Sequence, residues 1–232
     1  MRSRVRPFLL GAVSCLAFLV GIAGWSPSSQ ADVTPPACTS VGPKLTDYSA
    51  TLTLPKFGPA LGTLQTVTLS GSADVTMRVR VENEGPVPYE LGGDLQVTGT
   101  LTLPTGEHGT ASTAYSHRET VSAYDGTTDW QGSGFDTGPV ASSADLTPVV
   151  LEGTAVSSYV GPGTFDSGFV ADGSSTFDGP GVSSYWFESG AKATVCVSYT
   201  YAPMATSSTS TSASTTTPVT TSTSSTSTSA PA

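Results

Sequence analysis

Two histidines, His108 and His117, are the first residues to consider for catalysis. A serine-type hydrolase needs an imidazole beside a hydroxyl and a carboxylate, and Ser and Asp are plentiful here. Both histidines lie in or beside polar, turn-rich sequence. The chain has neither a GxSxG motif nor a Gly-rich phosphate loop followed by a helix. We therefore predict a protein that is not an enzyme, and a secreted hydrolase is only the third hypothesis.

Acidic side chains in Gly-rich sequence are the candidate ligands for a hard cation. Asp125 with Asp129, or Asp166 with Asp172 and Asp178, could gather around Ca²⁺, which prefers oxygen ligands on loops. They match neither an EF-hand nor a Gly-rich calcium repeat, and the sequence has no cysteine and histidine spacing typical of zinc. Solvated turn acids are the simpler interpretation, so no cofactor is predicted and Ca²⁺ stays the alternative.

Three aromatic side chains could form a platform for stacking a sugar ring: Trp130, Tyr185 and Trp186. Tyr185 and Trp186 are neighbours in the run VSSYWFE, which resembles a strand. Successive side chains of a strand point to opposite faces, so we expect at least one of this pair to belong to the core.

The three cysteines predict one disulfide. Cys15 lies in an apolar run near the N-terminus, so Cys38 and Cys196 remain in the exported chain. In AKATVCVSYTYA the small and apolar residues alternate, which places Cys196 on the face away from the core. The Pro-rich run TPPACTS around Cys38 could lie over the outside of the sheet and tether the N-terminus to the last strand.

The elements that position these residues are strands. Apolar residues alternate with Thr, Arg and Gln from Tyr48, and the clearest run places Val75, Met77, Val79 and Val81 inward. That run places Thr76, Arg78, Arg80 and Glu82 outward. Several short strands separated by Gly and Pro turns predict an all-β fold, an antiparallel two-sheet β-sandwich. A closed β-barrel is the alternative.

The middle of the chain, roughly 104–190, is rich in Gly, Asp and Phe. Phe-Asp followed by Gly recurs in GPGTFDSGF and STFDGPG without a fixed period. Asp and Gly accept the backbone angles of tight turns. We interpret these stretches as hairpin turns.

The two termini have compositions unlike that of the sandwich. Residues 1–31 combine basic residues, an apolar run and small residues before Asp32, the pattern of a secretory signal peptide, with an uncleaved anchor as the rival. Residues 32–45 form a lead-in segment and 46–203 the β-sandwich domain. In 204–232, Ser and Thr dominate, and 21 of the 24 residues from 206 to 229 are one or the other. Such a tail is predicted to be disordered.

The net negative charge limits the classes of binding partner. The net charge is −9, and removing Arg2, Arg4 and Arg6 with the signal would leave six basic residues against eighteen acidic ones. Nucleic acid and anionic lipid repel such a surface. The mature chain would contain no second long apolar segment, so no membrane span is predicted for it. The expected location is extracellular, with the cell surface as one site and cell-wall or extracellular glycans as candidate partners.

One stretch carries a family resemblance. TLTLPKFGPALGTLQTVTLSGSADVTMRVRVENEG resembles the opening of bacterial choice-of-anchor E domain proteins. The elements in common are a strand, the turn at Pro55 to Leu64 and a strand ending near Asn83. Gly58 departs from the family's usual Asp, and the closing strand ATVCVSYTY resembles the family's end. The resemblance covers most of 46 to 201 and implies an exported surface domain that has no established activity.

Two function hypotheses lead from this. The first is a non-enzymatic, exported β-sandwich with a structural or adhesive role at the surface of a bacterium, or shed from it. The second is an extracellular carbohydrate-binding module, suggested by the Trp and Tyr residues among Gly-rich loops.

Overall fold

The computed structural model describes residues 30–204, so the predicted signal peptide and most of the predicted tail lie outside the described residues. Two antiparallel sheets pack face to face, as the alternation predicted. Sheet A consists of β1 (Asp32–Val33), β2 (Ala37–Leu45), β4 (Gly62–Asn83), β7 (Gly134–Asp136), β8 (Val140–Asp145), β9 (Val149–Glu152) and β11 (Ser183–Pro203). Sheet B consists of β3 (Tyr48–Pro55), β5 (Tyr89–Thr102), β6 (His108–Val121) and β10 (Thr164–Asp178).

Two long strands form the centre of sheet A. β4 and β11 pair antiparallel along almost their entire lengths. The free side of β4 is covered by three short strands in succession, β9, β8 and β7. β1 and β2 cover part of the free side of β11. Sheet B has the order β3-β10-β5-β6, so each sheet is four strands wide.

The core lies between the sheets. The predicted inward set Val75, Met77, Val79 and Val81 is buried, which confirms the register of β4. Leu52, Leu54, Leu95, Val97 and Phe169 meet this set from sheet B. Burial of such side chains contributes about 1.5–3 kcal/mol each. The sequence LQTVTLS, predicted as a separate strand, is continuous with the next run in the 22-residue β4.

The prediction of hairpin turns in the Phe-Asp-Gly stretches is wrong for one long segment. Thr164–Asp178 is β10, a central strand of sheet B that pairs with both β3 and β5. Phe165, Phe169 and Ala171 are buried, while Asp166 and Asp172 point to solvent. Gly and Asp are poor strand residues in isolation, but two neighbouring strands supply hydrogen bonds on both sides of β10, and this tertiary context outweighs the local preference.

The segment 32–45, predicted as a lead-in, belongs to the sandwich. β1 and β2 form an edge of sheet A by pairing with β11. TPPACTS therefore does not lie over the outside of the sheet, since Ala37–Leu45 pairs with the last strand side by side. Within residues 30–204 no helix has the length and apolar character needed to cross a membrane.

Candidate functional site

The two ends of the sandwich differ in how far their aromatic side chains are exposed to solvent. We call the end near the C-terminus of β4 and the N-terminus of β11 the open end. Its turns and strand ends present large apolar side chains to solvent: Val87, Tyr89, Tyr124, Val182, Tyr185 and Trp186. Apolar patches of this kind mark interaction surfaces in exported domains.

At the opposite, closed end the aromatic side chains fill the gap between the sheets. Phe57 and Tyr159 are each 1% exposed. The ring of Phe57 lies 5.6 Å from that of Tyr199 and 5.3 Å from that of Tyr201, while Tyr159 meets Phe165 edge-on at 4.8 Å. The backbone holds this packing in place, because the Phe57 N–H donates to the Tyr159 carbonyl and the Gly161 N–H to the Phe57 carbonyl.

Tyr185 and Trp186 point to opposite faces, as alternation requires, yet neither is buried. Tyr185 is 55% and Trp186 40% exposed, so the expectation that one of them belongs to the core is wrong. Tyr185 lies on the inner side, where the sheets diverge, and stacks on Phe177 with ring centroids 4.7 Å apart. Trp186 lies on the outer face of sheet A and packs against the Arg80 guanidinium, 4.6 Å from the ring centroid.

Trp130, the third predicted stacking residue, lies in the loop between β6 and β7. Its backbone has a left-handed φ of 63°, unusual for a non-glycine residue. Its N–H donates to Oε2 of Glu82 at 2.7 Å, and the Ser133 hydroxyl donates to Oε1 at 2.5 Å. Glu82 was predicted to point outward to solvent. It does extend from the outer face, but this loop buries it completely.

Charged side chains continue along the outer face beside Glu82. Arg78 donates from Nε to Asp136 at 2.7 Å and pairs with the same carboxylate through Nη2, and Arg80 reaches Asp136 at 3.0 Å. The Arg78 hydrogen bond holds the pKa of Asp136 well below its usual range and raises that of Arg78. Trp186 thus shares the outer face of sheet A with an ion-paired cluster, and the backbone of Trp130 reaches that face at Glu82, whereas Tyr185 lies on the inner side.

The histidines do not form a hydrolase site with a hydroxyl. His117 contacts the carboxylate of Glu119 at 3.4 Å, and its ring packs edge-on against Phe135 at 4.8 Å. His108 begins β6 and is exposed, at the far end of that strand from His117. The distance between the two histidines is set by the extended strand on which both lie in the folded chain, and the sequence alone does not give it.

The candidate calcium ligands fall into two settings. Asp166, Asp172 and Asp178 lie on the outer side of β10 at intervals of six residues, which separates neighbours by about 20 Å. These three carboxylates therefore cannot share an ion. Asp125 and Asp129 lie in the β6–β7 loop, where hydrogen bonds from Thr127 lower the pKa of Asp125. Residues 30–204 contain no group of three or more His, Cys, Asp or Glu side chains arranged to hold a metal.

Cys38 and Cys196 are directly opposite each other on β2 and β11. Their Cα atoms are 4.0 Å apart and the sulfur atoms are at bonding distance. Cys196 points away from the core, as the alternation of the last strand predicted, between buried Val195 and Val197. The cross-link lies on the outer face of sheet A and holds the edge strand β2.

Comparison with known proteins adds no family. No family model and no curated protein matches the chain. Two solved structures of infectious bursal disease virus, of the Gx and Gt strains, are each 11% identical over 72% and 76% of this chain, with TM-scores of 0.24 and 0.19. The matched part spans 37% and 38% of those viral chains. Likeness at this level identifies neither a fold family nor a function.

Proposed function

We propose that this protein is a non-enzymatic, exported bacterial β-sandwich that acts in adhesion or structure at the cell surface, as in the choice-of-anchor E domain proteins that its sequence resembles. The observation that carries this proposal is the open end. Six large apolar side chains are exposed there, on turns and strand ends of the two sheets. Loops held by a rigid scaffold are the usual place for binding residues.

The cysteine geometry supports export. Two cysteines at bonding distance suit an oxidising compartment, where disulfides persist. Together with the signal-like sequence of 1–31, this supports the proposal that the working domain lies outside the cytoplasm. Fractionation of the native host into medium, wall and membrane, with mass spectrometry of both termini, tests this part. We expect a mature chain that begins at Asp32, and a cytoplasmic chain that keeps Met1 would refute export.

Adhesion is tested with beads that carry the secreted protein and are incubated with cells of the host. Replacing Tyr89 and Tyr185 by Ser removes apolar surface from the open end and should reduce bead attachment. Val33 and Val150 are exposed apolar residues toward the other end, so replacing both by Ser is the matched control. Equal attachment by the two double variants would contradict an adhesive open end.

A carbohydrate-binding module is the second candidate. It is favoured by the placement of Trp186 on the outer face of sheet A beside Arg80, which also binds Asp136. The backbone of Trp130 reaches the same face at Glu82. Aromatic rings flanked by hydrogen-bonding groups suit a ligand that has both apolar faces and hydroxyls.

A further inference from the structure

A groove crosses the outer face of sheet A next to this cluster. Its volume is about 430 Å³. The centre of its floor is the cross-strand pair Gly190 and Thr76. Glycine lets β2 approach closely here, since a Cβ at position 190 would lie 3.1 Å from the Lys44 carbonyl oxygen. The pairs Glu188–Arg78 and Lys192–Asp74 flank that centre on either side. Apolar walls complete it: Pro43 and Leu45 from β2 and Pro139 from the turn before β8.

A second hollow of about 300 Å³ adjoins the groove at Leu45 and Glu188 and includes Trp186 in its lining. Leu95 and Ser174 of sheet B also line it, so it opens at the edge between the two sheets. Lys192 and Trp186 are six residues apart on β11, which corresponds to about 20 Å along the strand. We call the two hollows together the sheet A track. This length and shape suit an extended chain rather than a compact ligand.

The charged side chains of the first hollow are the cations Lys44, Arg78 and Lys192 and the carboxylates Asp74 and Glu188, and Lys44 is in no salt bridge with the described residues. Arg78 is paired with Asp136, and Lys192 Nζ lies 4.0 Å from Asp74 Oδ2. A polyanion requires an excess of unpaired cations, which these pairs do not supply. Paired charges instead offer N–H donors and carboxylate acceptors side by side, which is what vicinal hydroxyl groups need.

Trp186 supplies the apolar part of such a site. The Arg80 guanidinium lies over its ring, the residue is 40% exposed, and it belongs to the lining of the second hollow. The C–H face of a pyranose ring is apolar and slightly positive, so it complements the negative face of an indole.

We propose that the sheet A track binds a neutral oligosaccharide, with Trp186 stacking on one sugar ring and the Arg78–Glu188 and Lys192–Asp74 pairs binding hydroxyls. This inference rests on the proposed role of the protein as a surface-binding domain. It names the class of ligand for that role and the site where the ligand binds.

Calorimetric titration of the secreted protein with linear oligosaccharides of hexose, N-acetylhexosamine and pentose units tests the inference. Trp186→Ala removes the platform, and Thr76→Tyr fills the middle of the groove from an exposed position. Each should weaken binding about tenfold or more, a change of about 1.4 kcal/mol. Thr68→Tyr, on the same face of β4 but outside the track, should bind like the parent protein. Trp130→Ala is measured beside it, because Trp130 is the other candidate stacking residue. Near-ultraviolet circular dichroism shows that each variant is folded.

Two outcomes would overturn the inference. One is no binding by the parent protein to any of the three sugar classes. The other is binding that Trp130→Ala abolishes while Thr76→Tyr and Trp186→Ala leave it intact, which would move the sugar site to the β6–β7 loop. Neither outcome decides the adhesive role, because bead attachment is measured with variants of the open end that leave the track unchanged.

Discussion

The closed and open ends of the sandwich contain similar aromatic residues in opposite environments. At the closed end the β3–β4 connector and the 3₁₀ segment Gly153–Tyr159 insert Phe57 and Tyr159 between the sheets. At the open end the side chain buried at the end of β4 is polar, since the Asn83 amide donates to the Val87 and Ser122 carbonyls. The stacked rings of Phe177 and Tyr185 lie nearer to solvent there. An aromatic side chain therefore contributes to stability or to a binding surface according to which segment covers it.

The closed end also has more strand pairing than the open end. β1 and β2 pair with the second half of β11, from Gly190 to Tyr201. The first residues of β11, from Ser183 to Ser189, form ladder pairs with β4 alone among the described strands. The closed end thus has the additional edge strands and the cross-linked cysteines, and we expect it to be the more stable half of the domain.

The largest expected effect comes from removing the cross-link. Replacing Cys38 and Cys196 by Ser opens a loop of 158 residues, which should lower the free energy of unfolding by about 5 kcal/mol in the chain-entropy model. Amide hydrogen exchange should accelerate first in β2 and the second half of β11. Faster exchange confined to residues 183–189 would show that the cross-link stabilises the open end rather than the closed end.

That cross-link has a direct chemical test. Intact mass of the denatured protein after alkylation, with and without reductant, should show no free thiol before reduction and two after it. Two alkylated thiols in the unreduced protein would contradict the pairing.

A pair of aromatic substitutions compares the two ends themselves. Phe57→Ala should lower the free energy of unfolding by about 4 kcal/mol, since it leaves a cavity between Tyr199 and Tyr201. Tyr185→Ala, at the open end, should cost about 1 kcal/mol, mainly the stacking on Phe177. Urea unfolding measures both, and equal losses would mean that the open end is packed as tightly as the closed one.

Alkaline pH should weaken the closed end. The Tyr199 hydroxyl donates to the Pro55 carbonyl, and burial raises the pKa of Tyr199 and Tyr159. Because the unfolded chain ionises tyrosine near pH 10, this stability is present below that pH and declines as pH rises above it.

Tyr199→Phe should flatten that decline and cost about 1 kcal/mol at neutral pH, through the lost hydrogen bond. Tyr185→Phe, its control at the open end, should change neutral stability by only a few tenths of a kcal/mol. An unchanged alkaline slope in Tyr199→Phe would show that other groups cause the decline.

The smallest effect concerns the ion pairs next to the open end. Since hydrogen bonding by Arg78 lowers the pKa of Asp136, the stability it contributes is present above about pH 4 and lost as pH falls below that value. Asp136→Asn should cost about 1 kcal/mol or less at neutral pH and reduce the loss in acid.

Glu152→Gln, an exposed acid on β9, is the matched control and should change stability by a few tenths of a kcal/mol. Thermal unfolding across the acid range measures both variants. If Asp136→Asn is as acid-sensitive as the parent protein, the Arg78 pair does not contribute.

Local pattern was sufficient for much of this fold. Alternation alone predicted several of the strands, the buried face of β4 from Val75 to Val81, and the outward direction of Cys196. It did not predict β2 or β10. It succeeds because side chains of a strand alternate between faces whatever the strand pairs with. The pairing of Cys38 with Cys196 was predicted by counting, since two cysteines remain after the N-terminal one.

Tertiary structure decided which face or segment is covered. Thr164–Asp178 is a strand because β3 and β5 flank it, although its Gly and Asp residues favour turns. Glu82 is buried because the β6–β7 loop closes over it, whereas no described segment covers the side chains of Tyr185 and Trp186 at the same end. Period-two alternation assigns a side chain to a face, but burial depends on segments distant in sequence, which no local pattern specifies.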